Sequence, residues 1–261
     1  RYIRGRLKHL EQRLKETEKR RSLQTGRRKK NAVKTIALVG YTNTGKSTLM
    51  NLLTGADVYV KNELFATLDP TARTFRIDGA EFLLVDTVGF LQDLPHHLVE
   101  AIKSTLESAL NCDLALIVCD ATGEYEMQLQ TTLRTLEDLN FSAPSLVVMN
   151  KSEHIADQTA FPFGSVAISA KENIGIQTLK REILRKFAED YLFCELFVPY
   201  EKFGEYGKIK SCLTERNVTF TDAGQTVEAV IPSMYAEKFT EYIRERHSVW
   251  TTIKKHSIKN M

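Results

Sequence analysis

Gly40-Tyr41-Thr42-Asn43-Thr44-Gly45-Lys46-Ser47, followed by Thr48, is the stretch that decides how the rest of this 261-residue chain reads. It fits the pattern G-x-x-x-x-G-K-[ST]. It also has the context the pattern needs, an apolar run at 36–39 before it and an amphipathic segment from Lys46 to Leu53 after it. The glycines let the backbone curl so that successive N–H groups point inward at phosphates. The helix that follows adds its positive N-terminal end. Lys46 places a cation near the β- and γ-phosphates, and the Ser47 hydroxyl can ligate Mg²⁺.

Outward from this loop, short apolar runs at 36–39, 82–85, 114–119, 145–149 and 165–168 alternate with helical patterns. Those patterns carry Leu98, Ile102, Leu106 and Ala109, then Leu129, Leu133, Leu136 and Leu139, then Leu179, Ile183 and Phe187. Such alternation predicts an α/β fold, a mainly parallel sheet with helices on both faces. Residues 75–77 precede 82–85 across Asp78-Gly79, a hairpin signal that predicts one antiparallel edge strand. After Asp190 the periodicity changes. A strand is expected at 192–198, a helix at 200–213, a strand pair at 218–220 and 226–231, and a helix at 234–246. The chain therefore divides into a basic helical arm at 1–34, a nucleotide domain at 35–190 and a small α+β domain at 191–261.

Three further elements surround the phosphate loop in sequence order. Asp86-Thr87-Val88-Gly89 ends the 82–85 run, where a carboxylate suits a water-mediated hold on Mg²⁺ and the Gly89 N–H suits a γ-phosphate. Asn150-Lys151-Ser152-Glu153 follows the 145–149 run, and Ser169-Ala170-Lys171 follows 165–168. This is the order of the guanine-recognition elements NKxD and SA. The carboxylate accepts two hydrogen bonds from guanine N1–H and the 2-amino group, a pair adenine cannot supply. Losing a matched pair of this kind costs about 1–3 kcal/mol. Glu153 stands where the pattern expects aspartate, so the acceptor pair sits one methylene further out and an ATPase stays open as a rival.

Charge is unevenly spread. Residues 1–34 hold 14 basic against three acidic residues, a balance of +11, and the remainder holds 22 against 30, a balance of −8. Clustered Lys and Arg suit a nucleic-acid backbone. Ile3, Leu7, Leu10 and Leu14 form one apolar stripe on the expected helix at 1–24, with no evident partner in this chain. No apolar run reaches the roughly 18 residues of a membrane span, so no stable membrane insertion is expected. The four cysteines, Cys112, Cys119, Cys194 and Cys212, lack zinc-site spacing, and Cys119 is expected to be a buried thiol.

The segment Phe65-Ala66-Thr67-Leu68-Asp69-Pro70-Thr71-Ala72-Arg73 resembles the first switch of the HflX family of ribosome-associated GTPases, within the Obg–HflX group. The resemblance extends to GYTNTGKSTL at 40–49, DTVGFLQDLP at 86–95, LVEAIKSTLESA at 98–109 and the basic segment before the loop. It implies a P-loop GTPase domain that turns GTP into GDP and phosphate with Mg²⁺. Lys46, Thr67 and Gly89 would do the catalytic positioning, and Ser47 and Thr67 would ligate the metal. Phe65–Asp69 would join the nucleotide site. Phe90 replaces the water-orienting glutamine of many signalling GTPases, so hydrolysis is expected to be slow without a partner. In some related GTPases an asparagine at the position of Asn43 assists K⁺ binding, which makes K⁺ a candidate cofactor beside a plainer loop-stabilising role. The resemblance further implies a cytoplasmic monomer that binds the large ribosomal subunit and its RNA through the basic arm and splits or rescues stalled ribosomes. It also implies that this chain is the back part of a longer protein. A nucleotide-gated RNA-binding or assembly factor with incidental turnover remains the second reading.

Overall fold

A computed structural model describes residues 33–55, 72–86, 112–139, 141–155 and 161–247. The expected helices at 1–24 and from Pro95 to Ala109, and the segment 65–71, lie outside them. Six strands form the first sheet: β1 (Lys34–Val39), β2 (Ala72–Ile77), β3 (Ala80–Asp86), β4 (Leu114–Asp120), β5 (Ser145–Asn150) and β6 (Val166–Ala167), in the spatial order β2-β3-β1-β4-β5-β6. The pairs β1–β4, β4–β5 and β5–β6 are parallel, and β2–β3 is the antiparallel edge pair. Three described helices accompany the sheet: α1 (Lys46–Thr54), α2 (Tyr125–Asp138) and α3 (Ile176–Lys186).

The apolar runs are continuous, not alternating, because both faces of the central strands are covered. Ile36 and Leu38 pack in one core with Leu49 of α1 and Leu179 and Ile183 of α3. Their neighbours Ala37 and Val39 face the other core, with Ile117, Cys119 and Leu136 of α2. This is the two-residue period of a strand seen from both sides. Burial pushes the Cys119 thiol up to about 12 and the Cys112 thiol to about 11, so neither is a thiolate at neutral pH.

Beyond α3, β7 (Tyr191–Pro199), β8 (Thr214–Thr221), β9 (Gly224–Pro232) and β10 (Ile243–His247) form an antiparallel sheet in the order β10-β7-β9-β8. Two expectations fail here. Residues 234–246 are not a helix: Ser233–Phe239 is a 3₁₀ segment and β10 follows it. Phe239, Tyr242 and Ile243 carry a helical spacing, but pairing with the edge of β7 outweighs it, and Phe197 N–H donates to Tyr242 O at 2.7 Å. Nor is 200–213 one helix. It is broken into Tyr200–Lys202 (3₁₀), α4 (Phe203–Ile209) and Lys210–Cys212 (3₁₀), in a sequence weakened by Gly204 and Gly207.

The expected boundary at Asp190 falls on a packed joint. Tyr191, Phe193 and Val230 belong to the same core as Ile36 and Leu38. Phe82 of β3 packs on Phe187 at 5.3 Å and on Phe75 and Tyr191 at 5.6 Å each, between ring centroids. The Tyr191 hydroxyl donates to Glu81 O at 2.9 Å. The turn of the β2–β3 hairpin has positive φ at both Asp78 (47°) and Gly79 (89°), as a tight hairpin requires. A Cβ on Gly79 would lie 3.0 Å from Val230 Cγ2, so the turn is seated against the second sheet. Phe82→Ala is therefore expected to lower the unfolding free energy by about 3–5 kcal/mol. Tyr191→Phe should lower it by about 1 kcal/mol. Urea unfolding checks both, and a loss below 1 kcal/mol for Phe82→Ala would contradict the joint.

Candidate nucleotide site

Parallel strands deliver their C-terminal ends to one edge of the sheet, which is where ligands bind in such folds. The phosphate loop leaves β1 at that edge. Gly40 has φ 147°, and a Cβ there would lie 2.2 Å from Val118 O on β4. Gly45, the residue before α1, has φ 91°, and a Cβ there would lie 2.2 Å from Asn150 Nδ2. Both positions exclude any other residue by conformation and by space. Asn43 is exposed with φ 61°, a left-handed conformation that asparagine tolerates well. Thr44 is buried, and its hydroxyl donates to Tyr41 O at 3.0 Å.

Lys46 is 7% exposed and folds back over the loop, with Nζ donating to Gly40 O at 3.1 Å and Tyr41 O at 2.7 Å. Burial lowers its pKa from the ordinary 10.5 to about 8, against the opposing pull of the Asp86 charge. Ser47 Oγ donates to Asp86 Oδ2 at 2.8 Å, and Asp86 is 2% exposed. A hydroxyl and a carboxylate brought together beside a phosphate loop are hard oxygen donors of the kind Mg²⁺ takes. Among the described residues no cluster of three His, Cys, Asp or Glu offers another metal site.

Asn150, at the end of β5, is 3% exposed and joins two loops. Its Nδ2 donates to Thr44 O at 2.8 Å, and its Oδ1 accepts from Ala170 N–H at 2.9 Å. Its amide is thus engaged with the phosphate loop and the Ser169–Lys171 loop, a tying role that spacing alone did not reveal. Ser152 N–H donates to Ile168 O at 3.0 Å and ties the 150–153 segment to the residue before Ser169. Glu153 is 14% exposed at its side chain, and its Oε2 is buried with no hydrogen-bond partner among the described residues. Desolvation pushes its carboxyl up. Hydrogen bonds from the Ser169 side chain and its own N–H, with the charges of His154 and Lys171, outweigh that and hold it below the usual range. An ionised carboxylate with one unused acceptor atom is suited to the N1–H and 2-amino donors of guanine.

Sequence reasoning missed Asp120, at the end of β4. Lys151, in the left-handed region at φ 62°, places Nζ 2.5 Å from Asp120 Oδ2. The missed signal is a carboxylate ending the apolar run 114–119, the same placement that marked Asp86 after 82–85. Thr48 lies within α1, and Lys171 is exposed with its Nζ 3.7 Å from Glu172 Oε1. Phe65, Ala66, Thr67, Leu68, Asp69, Thr87, Val88 and Gly89 lie outside the described residues.

A curled phosphate loop, facing across a buried asparagine a carboxylate suited to guanine, defines a P-loop GTPase domain. Residues 35–151 match the model of a family described as 50S ribosome-binding GTPase. The GTPase HflX of Caldanaerobacter subterraneus subsp. tengcongensis is 42% identical over 246 residues, covering 93% of this chain and 58% of that protein. That of Chlamydia pneumoniae is 37% identical over 253 residues, covering 93% and 53%. Among solved structures, a GTP-binding protein from Sulfolobus solfataricus in complex with GDP is 27% identical with a TM-score of 0.50, covering 67% of this chain and 61% of that one. The chain belongs to the HflX family of GTPases. It spans little more than half the length of these curated relatives.

The depressed Lys46 has a pH signature. Its folded pKa lies below the unfolded one, so the folded state binds fewer protons between about pH 8 and 10.5. The penalty of burying its cation is fully present below about pH 8 and fades as pH rises above that. A polyphosphate beside Nζ favours the charged form and raises the pKa. GDP affinity should therefore fall as pH rises through about 8, with proton uptake on binding. Titration calorimetry in buffers of different ionisation enthalpy measures both. A flat affinity from about pH 7 to 9.5 would contradict the assignment.

Proposed function

We propose that this chain carries the GTP-hydrolysing switch of a protein that works on the large ribosomal subunit in the cytoplasm. The observation that carries the reading is the buried, unpartnered Glu153 Oε2, held in one assembly with the phosphate loop through Asn150. Guanine would bind between Glu153 and Lys151, with its phosphates against the amides of 40–48. Lys46 would turn from the carbonyls of Gly40 and Tyr41 to the β- and γ-phosphates. Ser47, with Asp86 behind it, would hold Mg²⁺, and Thr67 would complete the set. When bound, Mg²⁺ supplies Lewis-acid charge stabilisation to the transferring phosphoryl group. Gly89 N–H and the Thr67 carbonyl would position the γ-phosphate and the attacking water.

Catalysis in this arrangement is positioning and electrostatic stabilisation, with no covalent intermediate on the protein. Phe90 supplies no hydrogen bond to water, so a partner or a monovalent cation would complete the site. The exposed Asn43 beside the phosphates is a candidate element of a K⁺ site. Loss of the γ-phosphate would release the segments at 65–73 and 86–90, which is how such proteins leave their targets. The +11 arm at 1–34 would hold ribosomal RNA by charge. No described helix is long and apolar enough to cross a membrane.

The test is sedimentation of the chain with purified ribosomal subunits, with GDP or a non-hydrolysable GTP analogue, with and without residues 1–34. Co-sedimentation with large subunits is expected only with the GTP analogue, and weaker without the arm. Subunits should also stimulate hydrolysis, and K⁺ should support it better than Na⁺. If neither nucleotide nor arm changes co-sedimentation, the ribosome reading fails. Equal rates in K⁺ and Na⁺ remove the potassium element alone, and displacement of GTP by a comparable concentration of ATP removes guanine selectivity.

A further inference from the structure

Asp120 lies outside the phosphate loop, the switch segments and the two base-recognition elements, yet its two carboxylate oxygens have separate partners. Oδ1 accepts from Thr122 N–H at 2.9 Å and from Thr122 Oγ1 at 2.6 Å. That leaves Oδ2 facing Lys151 Nζ. The backbone is held too: Asp120 N–H donates to Gln128 Oε1 of α2 at 2.9 Å, and Ala121 N–H donates to Asn150 O at 2.8 Å. Asp120 and Asn150 are register partners at the ends of β4 and β5, so the carboxylate stands beside the strand end from which Lys151 departs. The side chains of Asp120 and Lys151 are 14% and 31% exposed. Desolvation raises the Asp120 carboxyl, but the bonds from Lys151 and Thr122 outweigh it and keep it ionised at neutral pH.

Lys151 is an unusual lysine. Its backbone is left-handed and it lies between Asn150 and Glu153, inside the segment read as the base site. A lysine stem has four rotatable bonds, so ordering it carries an entropic cost among the largest of any side chain. An anchor on Nζ that is itself fixed by Thr122 and Gln128 meets much of that cost before any ligand arrives.

We propose that Asp120 is a positioning residue for the guanine base, acting through Lys151. Oδ2 holds the ammonium so that the lysine stem is laid out as one wall of the base pocket before nucleotide binds. The inference rests on the reading of 150–153 as the base site. It adds a determinant of affinity on β4, outside the recognition elements themselves. A base-free ligand of the phosphate loop would not feel it.

The test is a double-mutant cycle on GDP affinity with Asp120→Asn and Lys151→Met, the second keeping the apolar stem and removing the charge. Alone, Asp120→Asn is expected to weaken GDP about fivefold. In the Lys151→Met background the same change should cost less than about twofold, because the anchor has nothing to hold. Tripolyphosphate, measured by competition, should keep its affinity in Asp120→Asn, an outcome a general loosening of the fold would not give. Thr122→Val, which removes only the hydroxyl contact to Oδ1, gives a second and milder variant, with about a twofold loss. Equal losses in both backgrounds, or an equal loss for tripolyphosphate, would overturn the proposal and leave the base site standing. If Lys151→Met itself binds GDP like the parent, the ammonium anchor is unnecessary and the positioning role fails with the base site standing; if Glu153→Ala does so, the base-site reading fails, and the positioning role with it.

Discussion

The site depends on one buried amide. Asn150 spends its nitrogen on Thr44 O and its oxygen on Ala170 N–H, both within 2.9 Å, at a position 3% exposed. An unpaired amide there would carry a full desolvation penalty of about 1–3 kcal/mol. The phosphate loop and the loop after β6 are therefore fixed relative to one another through β5. Gly45 shows how tight the arrangement is, since even a methyl group at that position would collide with the same amide. The phosphate loop and the loops proposed for base recognition are far apart in sequence, and this side chain ties them together.

Electrostatics follow from that geometry. The cation of Lys46 is enclosed by carbonyls and offset by Asp86, and Lys151 is set on Asp120. Lys46 and Lys151 thus each have a nearby acid at the end of a neighbouring strand. The acidic balance of residues 35–261 does not oppose a polyphosphate, because the local cation is delivered with the loop amides and a helix N-terminus. The basic balance of 1–34 is a separate feature of the sequence.

The nucleotide domain was legible because its signals are local and mutually consistent. A glycine pattern set between an apolar run and a helical pattern specifies a strand, a loop and a helix, and α1 begins at Lys46 as that pattern implies. Continuous apolar runs gave β1, β4 and β5 because both faces are covered. Asp120 was only half legible: its place after an apolar run matches that of Asp86, but its partner is 31 residues away and no spacing rule joins them. The tying role of Asn150 was hidden for the same reason. The second sheet was misread where pairing outweighed periodicity. Helical spacing at 234–246 gave way to the edge of β7, and two glycines left only seven residues of α4 in the expected helix at 200–213.

The β2–β3 hairpin has its open end at Ala72 and Asp86, on the phosphate side, and its closed end under the second sheet. Six paired residues at about 3.3 Å each make a rod of roughly 20 Å. Tyr191 holds that rod near its closed end, through Glu81 O and the edge-on ring of Phe82, and Gly79 seats its tip. Geometrically this is a lever whose long arm reaches the carboxylate and whose short arm is held under the second sheet. A rotation of the rod by a few degrees about one end would move the other by about an ångström, and the contacts of Tyr191, Phe82 and Gly79 would pass it to β7–β10.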